Sequence, residues 1–497
     1  MKELRLVAKG SAFSFMGDAT NYFLSYVFVF IASHLLGASY LGAFYWALSI
    51  SSLLGEFADC GTGQGLIYFG PRFEAEKGEN RSLSLFRFVL FFTLRNAILL
   101  GLLLFIAAPF VAGFFNKPEL TWLLRAFSIA LPLGLFWPVA YKYFVARFKI
   151  VEGILYGDIL RPVLRVSFLL LFVFLGLKSF ALVGTEIFVG ASLMAVGLVL
   201  IFKLWGKDFV AGKLTFPEKR SLLAYSIPFV PLNMARGERV TIIIVSYFMA
   251  VAQIGVFGVV LKVAALSQVI LTGMNFVFRP MVSKLYAEKN MKTLNSIYKS
   301  ITRWTFILTI PLSYLFIFYP ASILSLFGNN FSPGATALTI ISLGFLFEYG
   351  TSATQVIINM TGRSWLSLLN QAVFFAVIAV FGIWLIPVYG MLGAAIAVSL
   401  AFVAINIVRL VQAYKIVGFT PYSLYLFKPV IAAITGGIVL SFVFPIGIVL
   451  PLIKLLMLVL GFLVIYVLML LFLKIDPEDW KLLIAAKRKL IRHSSIT

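Results

Sequence analysis

Cysteine occurs once in the 497 residues, at Cys60, and histidine twice, at His34 and His493. An internal disulfide is excluded, and the common thiolate and imidazole metal sites lack ligands, so neither redox chemistry nor a metal cofactor is expected. Charge is scarce as well. Only 12% of residues are charged against 61% hydrophobic, and mean hydropathy is +1.02. Soluble domains carry about 25% charged residues, so an all-α integral membrane protein is expected. Acids are the scarcer sign, 19 against 41 Lys and Arg, for a formal charge of +22. No G-x-x-x-x-G-K-[ST] pattern occurs, which argues against ATP as the direct driver of any transport.

Apolar windows of about twenty residues, the length that crosses a bilayer, are bounded by Gly, Pro and charge. They give about fourteen predicted helices: 12–36, 40–67, 86–115, 120–140, 153–177, 180–202, 221–248, 254–278, 301–320, 335–360, 366–387, 393–414, 427–447 and 450–473. Lys2, Arg5 and Lys9 precede the first run, which is too long for a signal peptide and lacks a small-residue cleavage pattern, so an uncleaved span is expected. An even count puts both termini on one side. With that side cytoplasmic, most Lys and Arg fall in inner segments, as the positive-inside rule demands of a plasma-membrane protein. The basicity then reflects topology and attraction to anionic inner-leaflet lipid, and nucleic-acid binding is not expected. Outer loops such as 34–40, 249–253 and 387–393 have no room for a folded domain. Beyond Asp476 and Pro477, the stretch Trp480 to Arg492 reads as a basic interfacial helix.

An internal repeat runs through the chain. Gly37 to Phe44 is echoed by Ala250 to Phe257 at a shift of 213, Ala75-Glu76-Lys77-Gly78 by Ala287-Glu288-Lys289-Asn290 at 212, and Pro109 by Pro320 at 211. A common shift at three successive places signals duplication. Each repeat holds six spans, and an even number makes the halves parallel, related by a pseudo-two-fold axis along the membrane normal. The expected organisation is an N-lobe at 1–202, a cytoplasmic linker at 203–220, a C-lobe at 221–414, two peripheral spans in 415–474 and a basic tail at 475–497. The cleft between the lobes is the expected substrate site.

Leu36-Gly37, Gly42-Ala43-Phe44, Ser49 and Asp59-Cys60-Gly61 resemble the start of polysaccharide flippases in the multidrug/oligosaccharidyl-lipid/polysaccharide exporter superfamily. Gly255-Val256-Phe257, Pro280, Ser283-Lys284-Leu285-Tyr286, Phe327-Gly328, Pro333 and Thr361-Gly362-Arg363 are similar to that family's second-half landmarks. The resemblance covers about 12–365; the last spans match in hydropathy only. It implies a two-lobed helical transporter that flips a polyprenyl-(pyro)phosphate-linked oligosaccharide outward by alternating access, coupled to H+ or Na+. Polysaccharide-assembly glycosyltransferases or a polymerase would be its neighbours. The family supplies no short motif to carry over, so site residues rest on intramembrane charge.

Ionisable groups inside spans cost roughly 2.5–3.5 kcal/mol each at a helix centre, and so mark a wet interior. Arg161 and Arg165 share a helix face with Asp158 one turn before, and Arg236, Glu238 and Arg239 sit on a span broken by Pro228 and Pro231. Arg95, Arg125 and Lys262 complete the candidate anion-binding set. Glu56, Glu348, Asp59 and Glu238 are the candidates for ion coupling, and Asp18 and Glu186 the remaining intramembrane acids. The structural alternative pairs Asp158 with Arg161 and Glu238 with Arg239, and gives Asp59 to the turn after the second span. Two other functions compete: a multidrug/cation antiporter of the same superfamily, which four central arginines disfavour, and a membrane polymerase or glycosyltransferase, which the short outer loops disfavour.

Overall fold

The computed structural model of the chain describes residues 2–147, 149–206, 214–234, 239–351, 353–363 and 365–473. Every regular element among them is helical, because backbone groups in hydrocarbon must bond within their own segment. In chain order the α-helices are α1 (Lys2–Leu36), α2 (Ala38–Asp59), α3 (Thr62–Lys77), α4 (Glu79–Phe114), α5 (Thr121–Ala146), α6 (Ile150–Ile154), α7 (Arg161–Phe174), α8 (Lys178–Trp205), α9 (Phe216–Ser226) and α10 (Phe229–Met234). There follow α11 (Arg239–Phe248), α12 (Val251–Ala287), α13 (Met291–Phe318), α14 (Pro320–Ser325), α15 (Ala335–Gly350), α16 (Thr354–Met360), α17 (Trp365–Tyr389), α18 (Met391–Val417), α19 (Phe427–Ser441) and α20 (Leu452–Phe472).

Among the described residues, twelve stretches are long and apolar enough to cross a bilayer, not the fourteen expected. The difference is confined to 153–177 and 221–248, the two segments on which sequence places the arginine clusters. In the first, α6 and α7 are joined by a π-helical turn, Leu155–Leu160. Pro162 follows at the start of α7; its ring would press on the carbonyl four residues back, that of Asp158, and the wider turn relieves the clash. In the second, α9 ends at Ser226 and Pro228 precedes α10, which contains Pro231, and Arg239–Phe248 is a short apolar helix. Arg161 and Arg165 thus lie just past a local irregularity of their helix.

Residues up to Val259 form one compact unit and those from Val260 another, with α12 running from the first into the second. In the first unit α4 and α5 pack along each other, α5 packs on α8, and α7 on α8 and α1. Phe86 stacks on Tyr143 at 4.1 Å between ring centroids, inside a core with Leu66, Val89 and Leu193. The buried Lys117 ammonium donates to the carbonyls of Phe115 at 3.0 Å and Ser246 at 2.6 Å, fastening the α4–α5 turn to α11. Burial pulls its pKa below the usual lysine range, with Glu119 pulling the other way. In the second unit α18 packs on α17 and α15, and α15 on α13. The last two helices lie against α13, where Phe462 stacks on Tyr314 at 4.0 Å and the Tyr466 hydroxyl donates to the Ile307 carbonyl at 2.9 Å. Only about a fifth of α20 is buried, the same share as of α17.

The repeat is visible in local structure. Gly78 and Asn290, equivalent in the echo, are the N-caps of α4 and α13, and the Asn290 side chain accepts the Thr293 N–H at 3.2 Å. A side chain on Gly42 would collide with the Val251 carbonyl, and one on Gly255 with the Ala38 carbonyl. Ala38 and Val251 are themselves separated by 213, the shift of the sequence echo, so the contact is reciprocal: each glycine meets the backbone four residues before the other. Overpacking costs about 1–3 kcal/mol even where side chains can move, and here the obstacle is backbone. Gly42→Leu and Gly255→Leu are each expected to lower the detergent-solubilised melting temperature and produce aggregated protein on size exclusion, whereas Gly113→Leu, where nothing lies within reach of a Cβ, should behave as wild type.

Candidate functional site

Three guanidinium groups converge in the first unit. Arg161 and Arg165 stand one turn apart on α7, just past the π-helical turn that carries Asp158. The Arg161 guanidinium covers the Trp137 ring at 4.3 Å, and Arg165 covers Phe28 at 4.4 Å. Arg165 also donates to Glu186 of α8 at 2.5 Å, and Arg239, the first residue of α11, donates to Glu56 of α2 at 2.8 Å. Arg165, Glu186, Asp158 and Arg239 are all within electrostatic reach of Arg161. Elements from α1 to α11 thus bring one cluster together from residues up to about 210 positions apart in sequence.

The cluster corrects one alternative drawn from spacing. Asp158 does not pair with Arg161. Its carboxylate accepts the Tyr141 hydroxyl of α5 at 3.2 Å, because the π turn rotates it off the face that a regular helix would share with Arg161. Arg161 makes no ion pair among the described residues; an aromatic face supports it instead, worth about 2 kcal/mol when desolvated. Arg239 pairs with Glu56, while Arg236 and Glu238 lie outside the described residues. The Arg165–Glu186 pair is enclosed, with side chains 16% and 15% exposed, and Arg239 is more open at 39%.

Other expected site residues lie elsewhere. Asp59 closes α2: it sits 3.7 Å from the Lys142 ammonium and accepts the Thr62 hydroxyl at 3.2 Å, at a turn whose Cys60 and Gly61 are both left-handed. That matches the structural alternative for Asp59. Asp18 is exposed on α1, Arg125 is exposed on α5 with its guanidinium 5.2 Å from the Phe105 ring, and Arg95 is exposed on α4 beside Phe92. Lys262 is half-buried on α12 in the second unit.

The second unit holds a separate polar centre. Glu348 of α15 lies 3.9 Å from Arg409 of α18. Asn406 accepts from Arg409 at 3.4 Å and from the Thr351 hydroxyl at 2.9 Å, and Asn370 and Gln412 exchange a reciprocal pair of hydrogen bonds at 2.9 and 2.8 Å. One Glu348 carboxylate oxygen is buried without a hydrogen-bond donor among the described residues. The sequence reading overlooked Arg409 and the buried Arg303 of α13, although both lie within its own spans. The signal that would have found Arg409 is the set of amides, Asn370, Asn406 and Gln412, in otherwise apolar runs.

Comparison with known proteins places these features in context. The family described as "Polysaccharide biosynthesis protein" matches residues 7–235. An uncharacterized membrane protein of Methanocaldococcus jannaschii is 26% identical over 381 residues, 72% of this chain and 74% of that one. The succinoglycan biosynthesis transport protein ExoT of Rhizobium meliloti is 22% identical over 345 residues, 68% of this chain and 66% of that one. Among solved structures, the lipid II flippase MurJ in an inward closed conformation superposes with a TM-score of 0.71 at 15% identity, covering 93% of this chain and 98% of its own. An inward-facing multidrug resistance MATE family transporter of the MOP superfamily gives 0.62 at 16% identity, covering 80% and 94%. At these identities the superpositions establish the fold.

Breaking one partner of an enclosed ion pair strands the other and costs about 3–5 kcal/mol, whereas replacing both with apolar groups is often neutral. Arg165→Met should therefore lower the melting temperature in detergent, and Arg165→Met combined with Glu186→Met should recover most of the loss. Additive losses would mean the two groups do not interact.

Proposed function

We propose, from the similarity to a polysaccharide biosynthesis family, a succinoglycan transport protein and the folds of a lipid II flippase and a MATE transporter, that the chain is a multi-pass polysaccharide transporter of the multidrug/oligosaccharidyl-lipid/polysaccharide exporter superfamily and flips a polyprenyl-(pyro)phosphate-linked oligosaccharide. The single observation that carries this reading is the cluster of Arg161, Arg165 and Arg239 at membrane depth, with Arg161 lacking a carboxylate partner among the described residues. A guanidinium fork matches two phosphate oxygens, and a lipid-linked pyrophosphate presents several. Arg161 takes the first contact. Arg165 and Arg239, held by Glu186 and Glu56 in the absence of substrate, exchange carboxylate for phosphate as the head enters. The polyprenyl tail stays in lipid, so only the sugar and phosphate need a polar route.

In this reading both termini face the cytoplasm of a plasma-membrane protein, and glycosyltransferases or a polymerase of surface-polysaccharide assembly supply and consume the lipid. Glu348 is the coupling group, because its undonated oxygen beside Arg409 is a place for a proton or Na+ in an interior where an extra charge has a large electrostatic consequence. The alternative, a multidrug/cation antiporter, meets the similarity to the MATE transporter, but three guanidinium groups repel an organic cation.

Proteoliposomes containing a short-chain polyprenyl-pyrophosphate oligosaccharide test both. A charge-assisted hydrogen bond contributes about 1.5–3 kcal/mol, so Arg161→Ala is expected to slow flipping about ten- to a hundredfold. Glu348→Gln is expected to leave binding intact and remove the response of flipping to a proton or sodium gradient. Unimpaired flipping by Arg161→Ala, or efflux of organic cations that survives it, would overturn the proposal.

A further inference from the structure

Counting about twenty residues back from the outer end of α4, the length that crosses hydrocarbon, reaches Arg95. Yet α4 begins at Glu79, and its first four turns therefore stand beyond the acyl region. Those turns carry a pocket of about 280 Å³ lined by Arg87, Phe88, Phe91, Phe92 and Arg95 of α4 and by Lys219 of α9. The α4 residues are spaced by three and four, so basic and aromatic groups share one helix face. Phe91 is 61% exposed on it, and beyond Arg95 the exposed surface of α4 turns wholly apolar, with Ile98, Leu102, Ile106 and Phe110 between 51% and 79% exposed. The boundary between cationic pocket and apolar band falls at Arg95.

Among the described residues that line the pocket, the charged ones, Arg87, Arg95 and Lys219, are of one sign. Glu218, the nearest acid in sequence to Lys219, is consumed elsewhere: it pairs with Arg81 at the base of α4 and closes the capping box of α9 with Thr215. That ion pair fixes α9 against α4 and sets the Lys219 ammonium over the Phe88 ring at 5.4 Å. Among the described residues neither Arg95 nor Lys219 makes an ion pair with a carboxylate. Arg95 reaches only the Asn96 amide oxygen, at 3.2 Å, and its placement on this outer face separates it from the Arg161 cluster with which the sequence grouped it.

We propose that this pocket binds the phosphate headgroup of an anionic phospholipid, whose acyl chains lie along the exposed apolar face of α4. The headgroup phosphate bridges Arg95 and Lys219, the phenyl rings cover the glycerol region, and the chains continue past Ile98. Since Lys219 belongs to the segment that joins the two repeats, the lipid pins that joint to α4. The inner leaflet supplies it if the termini are cytoplasmic, as proposed above; binding itself requires no transport, so the two ideas fail separately.

The test uses the full chain, purified and delipidated in detergent, with phosphatidylglycerol binding followed by native mass spectrometry and by titration of a fluorescent analogue. Wild type should retain phosphatidylglycerol in preference to phosphatidylcholine, and inorganic phosphate at equal concentration should not displace it. Each surface cation contributes about 1 kcal/mol toward an anionic lipid, about fivefold in affinity, so Arg95→Gln with Lys219→Gln should weaken binding about twenty-five-fold. Arg95→Lys should retain it, and Lys284→Gln, an exposed control in the second unit, should change nothing. Equal binding by the folded double variant, equal retention of phosphatidylcholine, displacement by inorganic phosphate, or a tenfold preference for polyprenyl phosphate over phosphatidylglycerol would each overturn the assignment; the last two would reassign the pocket to a soluble anion or to the carrier lipid.

Discussion

A guanidinium at membrane depth must be held by something, and that requirement organises the first unit. Arg165 has Glu186, Arg239 has Glu56, and Arg161 has the face of Trp137. Each partner comes from a different helix, so the charges tie α7 to α8, α11 to α2 and α7 to α5. The same requirement bears on the helix that carries Arg161 and Arg165, which is interrupted by a π turn just before them. A π turn departs from regular helical bonding, and irregular backbone in an apolar setting is tolerated only around a polar cavity or within protein.

Rigid packing supplies the frame for this local irregularity. Gly42 and Gly255 meet backbone to backbone, a contact that needs no side chain and leaves no room for one. In a membrane, helices gain nothing from hiding apolar surface from lipid, so close approach of small residues is the available source of association. This approach is reciprocal, with both glycines and both facing carbonyls separated by the same 213 positions. The contact joins the start of α2 to the start of α12, the helix that leads into the second unit.

Much of the fold was legible in the sequence because hydrocarbon thickness sets helix length, and the repeat could be read from short echoes because they mark helix starts, Gly78 and Asn290 among them. What escaped was the continuity of two spans. Hydropathy averaged over 153–177 registers an apolar run, but the π turn arises from the geometry of Pro162 against Asp158, which an average does not see. The site was legible by residue type and illegible by partner. Arg161, Arg165 and Arg239 do come together, but Asp158 goes to Tyr141, Arg165 to Glu186 and Arg239 to Glu56, choices fixed by helix rotation and by contacts across 17 to 183 positions. Arg95 and Arg125 look identical to these in composition and differ only in the face they occupy, while Arg409 was overlooked because its partners, Glu348 and Asn406, are distant in sequence or polar without charge.

The unequal pairing of the three arginines has an energetic consequence. If all were locked to carboxylates, an incoming phosphate would have to break an ion pair before making one, and stranding a buried carboxylate costs about 3–5 kcal/mol. If none were paired, the empty cluster would carry three uncompensated charges and its helices would separate. Arg161 avoids the first problem, since a phosphate that reaches it displaces only an aromatic contact. In the proposed function, the negative charge of a bound phosphate would repel Glu186 and Glu56 and lower the cost of drawing Arg165 and Arg239 away from them. In the proposed flipping, capture would thereby be sequential, and the ties loosened would be those between α7 and α8 and between α11 and α2, which would couple occupancy of the cluster to helix packing through the same ion pairs.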